Sequence, residues 1–117
     1  MNFEEFRAYC LEKPFVTEGF PFDQKTLVLK VAGKMFALAD IEDFNSINVK
    51  CDPEKSIELR ESYSGVEPGY HMNKKHWNTV AINNDVSRGL IFKLIDHSYD
   101  LVFKSLPNKT RNELTLG

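Results

Sequence analysis

Thr26-Leu27-Val28-Leu29-Lys30-Val31-Ala32-Gly33-Lys34-Met35-Phe36-Ala37-Leu38 is the stretch on which the fold turns. Leu27, Leu29 and Val31 alternate with Val28 and Lys30, and Phe36 and Leu38 alternate with Met35 and Ala37, the two-residue period of a strand. Ala32-Gly33 between the runs predicts a two-residue hairpin turn, because glycine takes positive φ without a steric penalty. Strands joined this tightly run antiparallel.

Upstream of the hairpin, residues 15–25 read as a connecting loop, with Gly19, Pro21 and an aromatic cluster of Phe15, Phe20 and Phe22. Before it, Phe3, Phe6, Cys10 and Leu11 keep a helical period, with Asn2 as N-cap, Glu4 and Glu5 at the positive end and Pro14 closing. Downstream, Ile47 to Cys51 reads as a strand, and Asp52-Pro53-Glu54 starts a second helix to about Tyr63, weakly amphipathic through Ile57, Leu59 and Tyr63. Ser64-Gly65 and Pro68-Gly69 break the chain. Trp77 to Ile82 returns to strand and ends at Asn83-Asn84. Asp85 is expected to cap the longest helix, about Val86 to Leu106, whose apolar positions fill more than half of a helical wheel. Lys93, Asp96, His97, Asp100 and Lys104 share the polar remainder. The order is α-β-β-β-α-β-β-α, with room for an extra strand near Val66 to His71. The fold class is therefore α+β, a single domain with an antiparallel sheet and helices packed mainly on one face. Residues 1–107 make up that domain, and Asn108 to Gly117 read as a flexible C-terminal tail.

The chain has 117 residues, 42% of them hydrophobic and 27% charged, the mixture of one soluble globular domain. Fourteen aromatics, nine of them Phe, supply a core that needs no disulfide or metal staple. No apolar run is long enough to span a membrane, and the acidic, polar start at Asn2-Phe3-Glu4-Glu5 is unlike a signal peptide. Cys10 and Cys51, far apart, are expected as reduced thiols of a cytoplasmic, monomeric protein. Net charge is −2, which argues against a generic nucleic-acid coat protein. The charge is uneven: residues 1–67 hold 8 Lys/Arg against 13 Asp/Glu, and residues 68–117 hold 7 against 4.

Catalytic signatures are missing: no glycine-rich phosphate loop, nucleophile elbow, C-x-x-C or H-E-x-x-H. A non-enzymatic chain without cofactor or metal is the expectation. The spacing of His71 and His76, with Cys51 nearby, fits neither a zinc finger nor a catalytic pair. Asp52 beside Cys51 disfavours the thiolate a nucleophile needs, and His97 sits at the edge of the polar arc of its helix.

The densest polar stretch is Tyr70-His71-Met72-Asn73-Lys74-Lys75-His76-Trp77-Asn78. Lysine and asparagine contact phosphates, and Tyr or Trp stacks on unpaired bases, so His71, Asn73, Lys74, Lys75 and His76 form a candidate nucleic-acid surface. Lys50 and Lys30 extend it if their sheet face is exposed. The alternative is a small-ligand or protein-binding module in which Tyr70, Trp77 and Asn78 wall a pocket. Against both stands a polar turn with Trp77 and Met72 pointing into the core.

Phe20-Pro21-Phe22-Asp23, Thr26-Leu27-Val28, Gly33-Lys34-Met35-Phe36-Ala37, Asn48-Val49-Lys50-Cys51-Asp52-Pro53 and above all Pro68-Gly69-Tyr70-His71-Met72-Asn73-Lys74-Lys75-His76-Trp77-Asn78-Thr79-Val80 resemble the MmcQ/YjbR family. Leu94-Ile95-Asp96-His97-Ser98-Tyr99 and Leu106-Pro107 fit as well, so the resemblance covers roughly Phe3 to Pro107. It implies a small bacterial cytoplasmic domain with a fold likened to frataxin (CyaY) and a proposed double-wing DNA-binding role, with DNA as partner. It transfers no catalytic residue or cofactor. The frataxin likeness suggests iron binding, for which Glu4, Glu5 and Glu12 on the first helix are too few acids.

Overall fold

The computed structural model describes residues 1–69 and 72–116. Its elements are α1 (Phe3–Leu11), β1 (Val16–Gly19), β2 (Thr26–Val31), β3 (Lys34–Asp40), β4 (Ser46–Lys50), α2 (Pro53–Ser62), β5 (Val66–Pro68), β6 (Trp77–Ala81), α3 (Arg88–Ser105) and α4 (Asn108–Leu116). The strands form one sheet in the order β1-β2-β3-β4-β6-β5, antiparallel at every step. The α+β architecture expected from the hairpin is the one observed, and the extra strand near Val66 is β5.

The β2–β3 turn places Ala32 at φ 48 and Gly33 at φ 84. Positive φ at both central residues marks the turn whose twist matches a hairpin. The alternation expected in β3 does not hold. Leu29 pairs with Ala37 and Lys30 with Met35, so Phe36 is an extra residue in the ladder. This bulge turns Phe36 and Ala37 together into the main core and sends Met35 and Leu38 to the opposite face.

Three N-caps explain where helices begin. Asn2 Oδ1 accepts from the Glu5 N–H at 2.8 Å, and the Asp52 carboxylate accepts from the Lys55 N–H at 3.1 Å ahead of Pro53. The cap of α3 is Ser87, whose Oγ accepts from the Leu90 N–H at 3.1 Å, rather than Asp85. Asp85 reaches back instead, accepting from Ser64 N–H at 2.7 Å and Gly65 N–H at 2.8 Å, while Val86 is drawn into the core before the helix can start.

The segment 15–25, expected as a loop, contains edge strand β1, and its aromatics do not cluster. Phe15 adopts a left-handed φ of 66 and stacks on Phe103 at 6.4 Å, whereas Phe20 and Phe22 stand 47% and 67% exposed. The stretch expected as a tail holds helix α4 over Asn108–Leu116, none of whose residues is fully buried. No helix among the described residues is long and apolar enough to cross a membrane.

Leu27, Leu29, Val31, Ile47, Val49 and Val80 line the inner sheet face. They pack under Phe6 and Cys10 of α1, Leu59 of α2 and Ile91, Ile95 and Val102 of α3. Each large aliphatic group buried there contributes about 1.5–3 kcal/mol. The outer face carries a smaller cluster, Val28, Leu38 and Trp77 with Met35 and Met72, to which no helix among the described residues contributes. Trp77 is thus buried, against this second cluster rather than the main core.

Candidate functional site

The described part of the polar stretch before β6, Met72 to His76, lies at the closed end of the β5–β6 hairpin. Gly69 N–H donates to the Trp77 carbonyl at 2.8 Å. A Cβ on Gly69 would lie 2.8 Å from that of Trp77, so only glycine lets the two ends meet. Asn73 organises the turn inside: its Oδ1 accepts from Lys75 N–H at 3.0 Å, and its carbonyl accepts from His76 N–H at 3.2 Å and Trp77 N–H at 2.9 Å. The Asn73 side-chain oxygen is thereby engaged in the turn. Lys74 and Lys75 are exposed, and His76 is half-buried with its carbonyl accepting from Cys51 N–H at 2.8 Å. His71 and Tyr70 lie outside the described residues.

Asn78 does not wall a pocket beside Trp77. Strand alternation turns it to the inner face, where it is 1% exposed, accepts from Arg60 Nε at 2.8 Å and donates to Ser56 Oγ at 3.2 Å. Arg60 also donates through Nη2 to the carbonyls of Lys74 at 2.6 Å and Trp77 at 3.3 Å, so α2 grips the lysine turn from below.

Lys30 and Lys50 project from the outer face, to whose cluster no helix among the described residues contributes. Lys30 pairs across the ladder with Met35, and Lys50 with Trp77. Both are half-buried, and neither forms an ion pair among the described residues. The same holds for Lys74 and Lys75, so four lysines gather toward one end of the face without carboxylate partners. The opposite end is acidic. Asp23 accepts from the N–H groups of Thr26 at 2.7 Å and Lys25 at 2.9 Å. Asp40 accepts from those of Glu42 at 2.8 Å and Asp43 at 2.9 Å. These backbone donors hold both carboxyls below the usual aspartate range.

Between the two ends lies a cavity of about 550 Å³. Met35, Leu38 and Met72 form its apolar floor, Thr26, Ser46 and Asn48 its polar wall, and Phe22 and Asp23 its rim. Of the described part of the 70–78 stretch, only Met72 lines it. Sequence reasoning missed this site. The available signal was Val28, an apolar residue on the nominally outward side of β2, which means that this face is not simply solvated.

Cys51 is 2% exposed, and burial raises its thiol pKa; Cys10 is pushed up to about 12 by burial. His97 Nε2 accepts from the Asp52 N–H at 3.1 Å. Burial first, then Lys55, lowers its pKa.

The YjbR family model matches residues 11–101. The uncharacterized protein YbdF of Escherichia coli O157:H7 is 36% identical over 115 residues, spanning 97% of this chain and 94% of that one. Protein YjbR of Escherichia coli strain K12 is 32% identical over the same length, with 97% and 98% covered. Among solved structures, Deinococcus radiodurans protein DR2400, with a DUF419 domain, superposes with a TM-score of 0.91 at 40% identity, covering 97% of this chain and 88% of that one. The chain belongs to the YjbR family.

Proposed function

We propose that this chain is a non-enzymatic, cytoplasmic binding protein whose outer sheet face takes duplex DNA at its lysine end. The observation that carries this reading is the position of Lys30 and Lys50. Among the described residues, they stand on the sheet face whose apolar cluster receives no helix, next to the turn that presents Lys74 and Lys75, and none of the four is neutralised by a carboxylate. Lysines so placed contact phosphates rather than base edges, which suits affinity with little sequence preference. His76 stands in the same turn. Fluorescence anisotropy with labelled duplex, at several salt concentrations, tests the reading. Salt-sensitive binding that weakens in Lys74→Ala/Lys75→Ala and in Lys30→Ala/Lys50→Ala is expected. No binding at low salt, or binding indifferent to both pairs, overturns it.

A second reading, a small-ligand module, is favoured by the cavity. At about 550 Å³ it falls in the range of small-molecule sites, and its mix of apolar floor and few polar groups is the usual one for them.

A further inference from the structure

The cavity has a chemical sign. Asp40 also lines the cavity: its Oδ1 is occupied by the N–H groups of Glu42 and Asp43, while Oδ2 receives no hydrogen bond among the described residues. Both Asp23 oxygens are in use, one by two backbone N–H groups and the other by Thr26 Oγ1 at 3.2 Å. Asn48 Oδ1 accepts from Thr79 Oγ1 at 2.6 Å, which leaves its amide N–H groups to donate. Around this end stand Asp23, Asp40, Glu42 and Asp43 against Lys25, whose Nζ is drawn to Glu42 at 3.1 Å. The local field therefore favours a cation, although the opposite end of the same face is basic.

The floor selects the rest of the ligand. Met35 and Met72 are unbranched thioethers that fit irregular apolar bodies and make favourable contacts with aromatic rings. Phe22 stands at the rim with most of its ring exposed, a surface that a bound ring would cover.

We propose that the cavity binds a small aryl-alkyl amine, its ammonium group on Asp40 Oδ2 and its ring between Met35, Leu38 and Met72. The proposal rests on the small-ligand reading of the cavity and adds the charge and shape of the occupant. It does not depend on DNA binding.

Tryptamine and indole-3-acetate, nearly isosteric and of opposite charge, are the probes, titrated into the full chain while backbone amide NMR shifts are followed. Tryptamine is expected to move the Leu38, Asp40 and Asn48 amides and to bind about tenfold more weakly to Asp40→Asn. That variant keeps the Oδ1 that caps the Asp40 turn, so its amide spectrum elsewhere should match the parent. Ser46→Phe, which fills the cavity from β4, should abolish the shifts at an unchanged melting temperature. Equal or tighter binding of indole-3-acetate at the same amides overturns the amine assignment and leaves the ligand site standing. Undiminished tryptamine binding by Asp40→Asn has the same meaning. No shift at these amides with either probe overturns both.

Discussion

Ser98 Oγ, on α3, donates to the carbonyl of Phe36 at 2.5 Å and accepts from the N–H of Lys50 at 2.8 Å. The two backbone groups belong to β3 and β4 just past the end of their ladder, which pairs Ala37 with Val49 and goes no further in that direction; Phe36 is also the residue that bulges from the β2–β3 ladder on its other side. One fully buried hydroxyl supplies both missing partners. It also fixes α3 against the strand whose outer side carries Lys50.

Ser98→Ala should therefore strand two buried backbone groups. A loss of about 2–6 kcal/mol is expected from urea unfolding, since each orphaned group costs about 1–3 kcal/mol. A loss under about 1 kcal/mol would mean that the ladder heals without the hydroxyl.

Arg60 holds the lysine turn through the Lys74 and Trp77 carbonyls and its bond to Asn78. Arg60→Met keeps the stem packed but removes these donors. Faster hydrogen exchange at the His76 and Trp77 amides is expected, with about 1–3 kcal/mol of destabilisation. Unchanged exchange would show that Asn73 alone shapes the turn.

Four phosphate contacts by Lys30, Lys50, Lys74 and Lys75 would give a log–log salt slope of magnitude about 3.6 for duplex DNA. Removing either pair should lower that magnitude by about 1.8. Anisotropy at four or more salt concentrations measures it. A slope that stays constant as affinity falls would point to lost packing instead of lost phosphate contacts.

His97 gives stability a pH dependence of definite sign. Its neutral form accepts from the Asp52 N–H, and its folded pKa lies below the ordinary histidine value of 6.5. Its contribution is thus complete above 6.5 and disappears as pH falls through the folded value. The depressed carboxyls, Asp23, Asp40, Glu18 and Asp85, act only in the more acid range below about 4. Unfolding midpoints between pH 7.5 and 5 should fall less steeply in His97→Ala than in the parent. Identical slopes would remove His97 from the account.

Ala32 holds a left-handed conformation at φ 48 that alanine tolerates poorly. Asparagine adopts it more readily, so Ala32→Asn should stabilise by about 0.5–1 kcal/mol in thermal or urea unfolding. A destabilised variant would show that the methyl group packs against something the turn requires.

The hairpin, the Asp52-Pro53 helix start and the long apolar helix were legible because each depends on neighbours within a few residues. The bulge at Phe36 was not, since a bulge is decided by what the opposite strand and α3 demand: Ser98, 62 residues away, supplies its partner. Asp85 reads as a cap from local chemistry alone, yet Ser64 and Gly65 compete for its carboxylate across 20 residues and win. Strand β1 was hidden by its glycine and the surrounding phenylalanines, and it exists because β2 offers a ladder to pair with. Of the candidate site, the lysine end was readable as composition. The cavity was not, because Met35, Leu38, Asp40, Ser46 and Asn48 come together only once the register of β3 and β4 is set.

The sheet ends on both sides in its shortest strands: β1 with four residues and β5 with three, the latter stopping at Pro68. Unpaired strand edges are templates on which other chains can polymerise, and a proline or a charge along them blocks that growth. Here one border is too short and lacks a donor at its last residue. The other carries Glu18, neutralised by Arg7 at 2.5 Å yet still bulky and polar. Both margins of the sheet are thus poor templates for fibril growth.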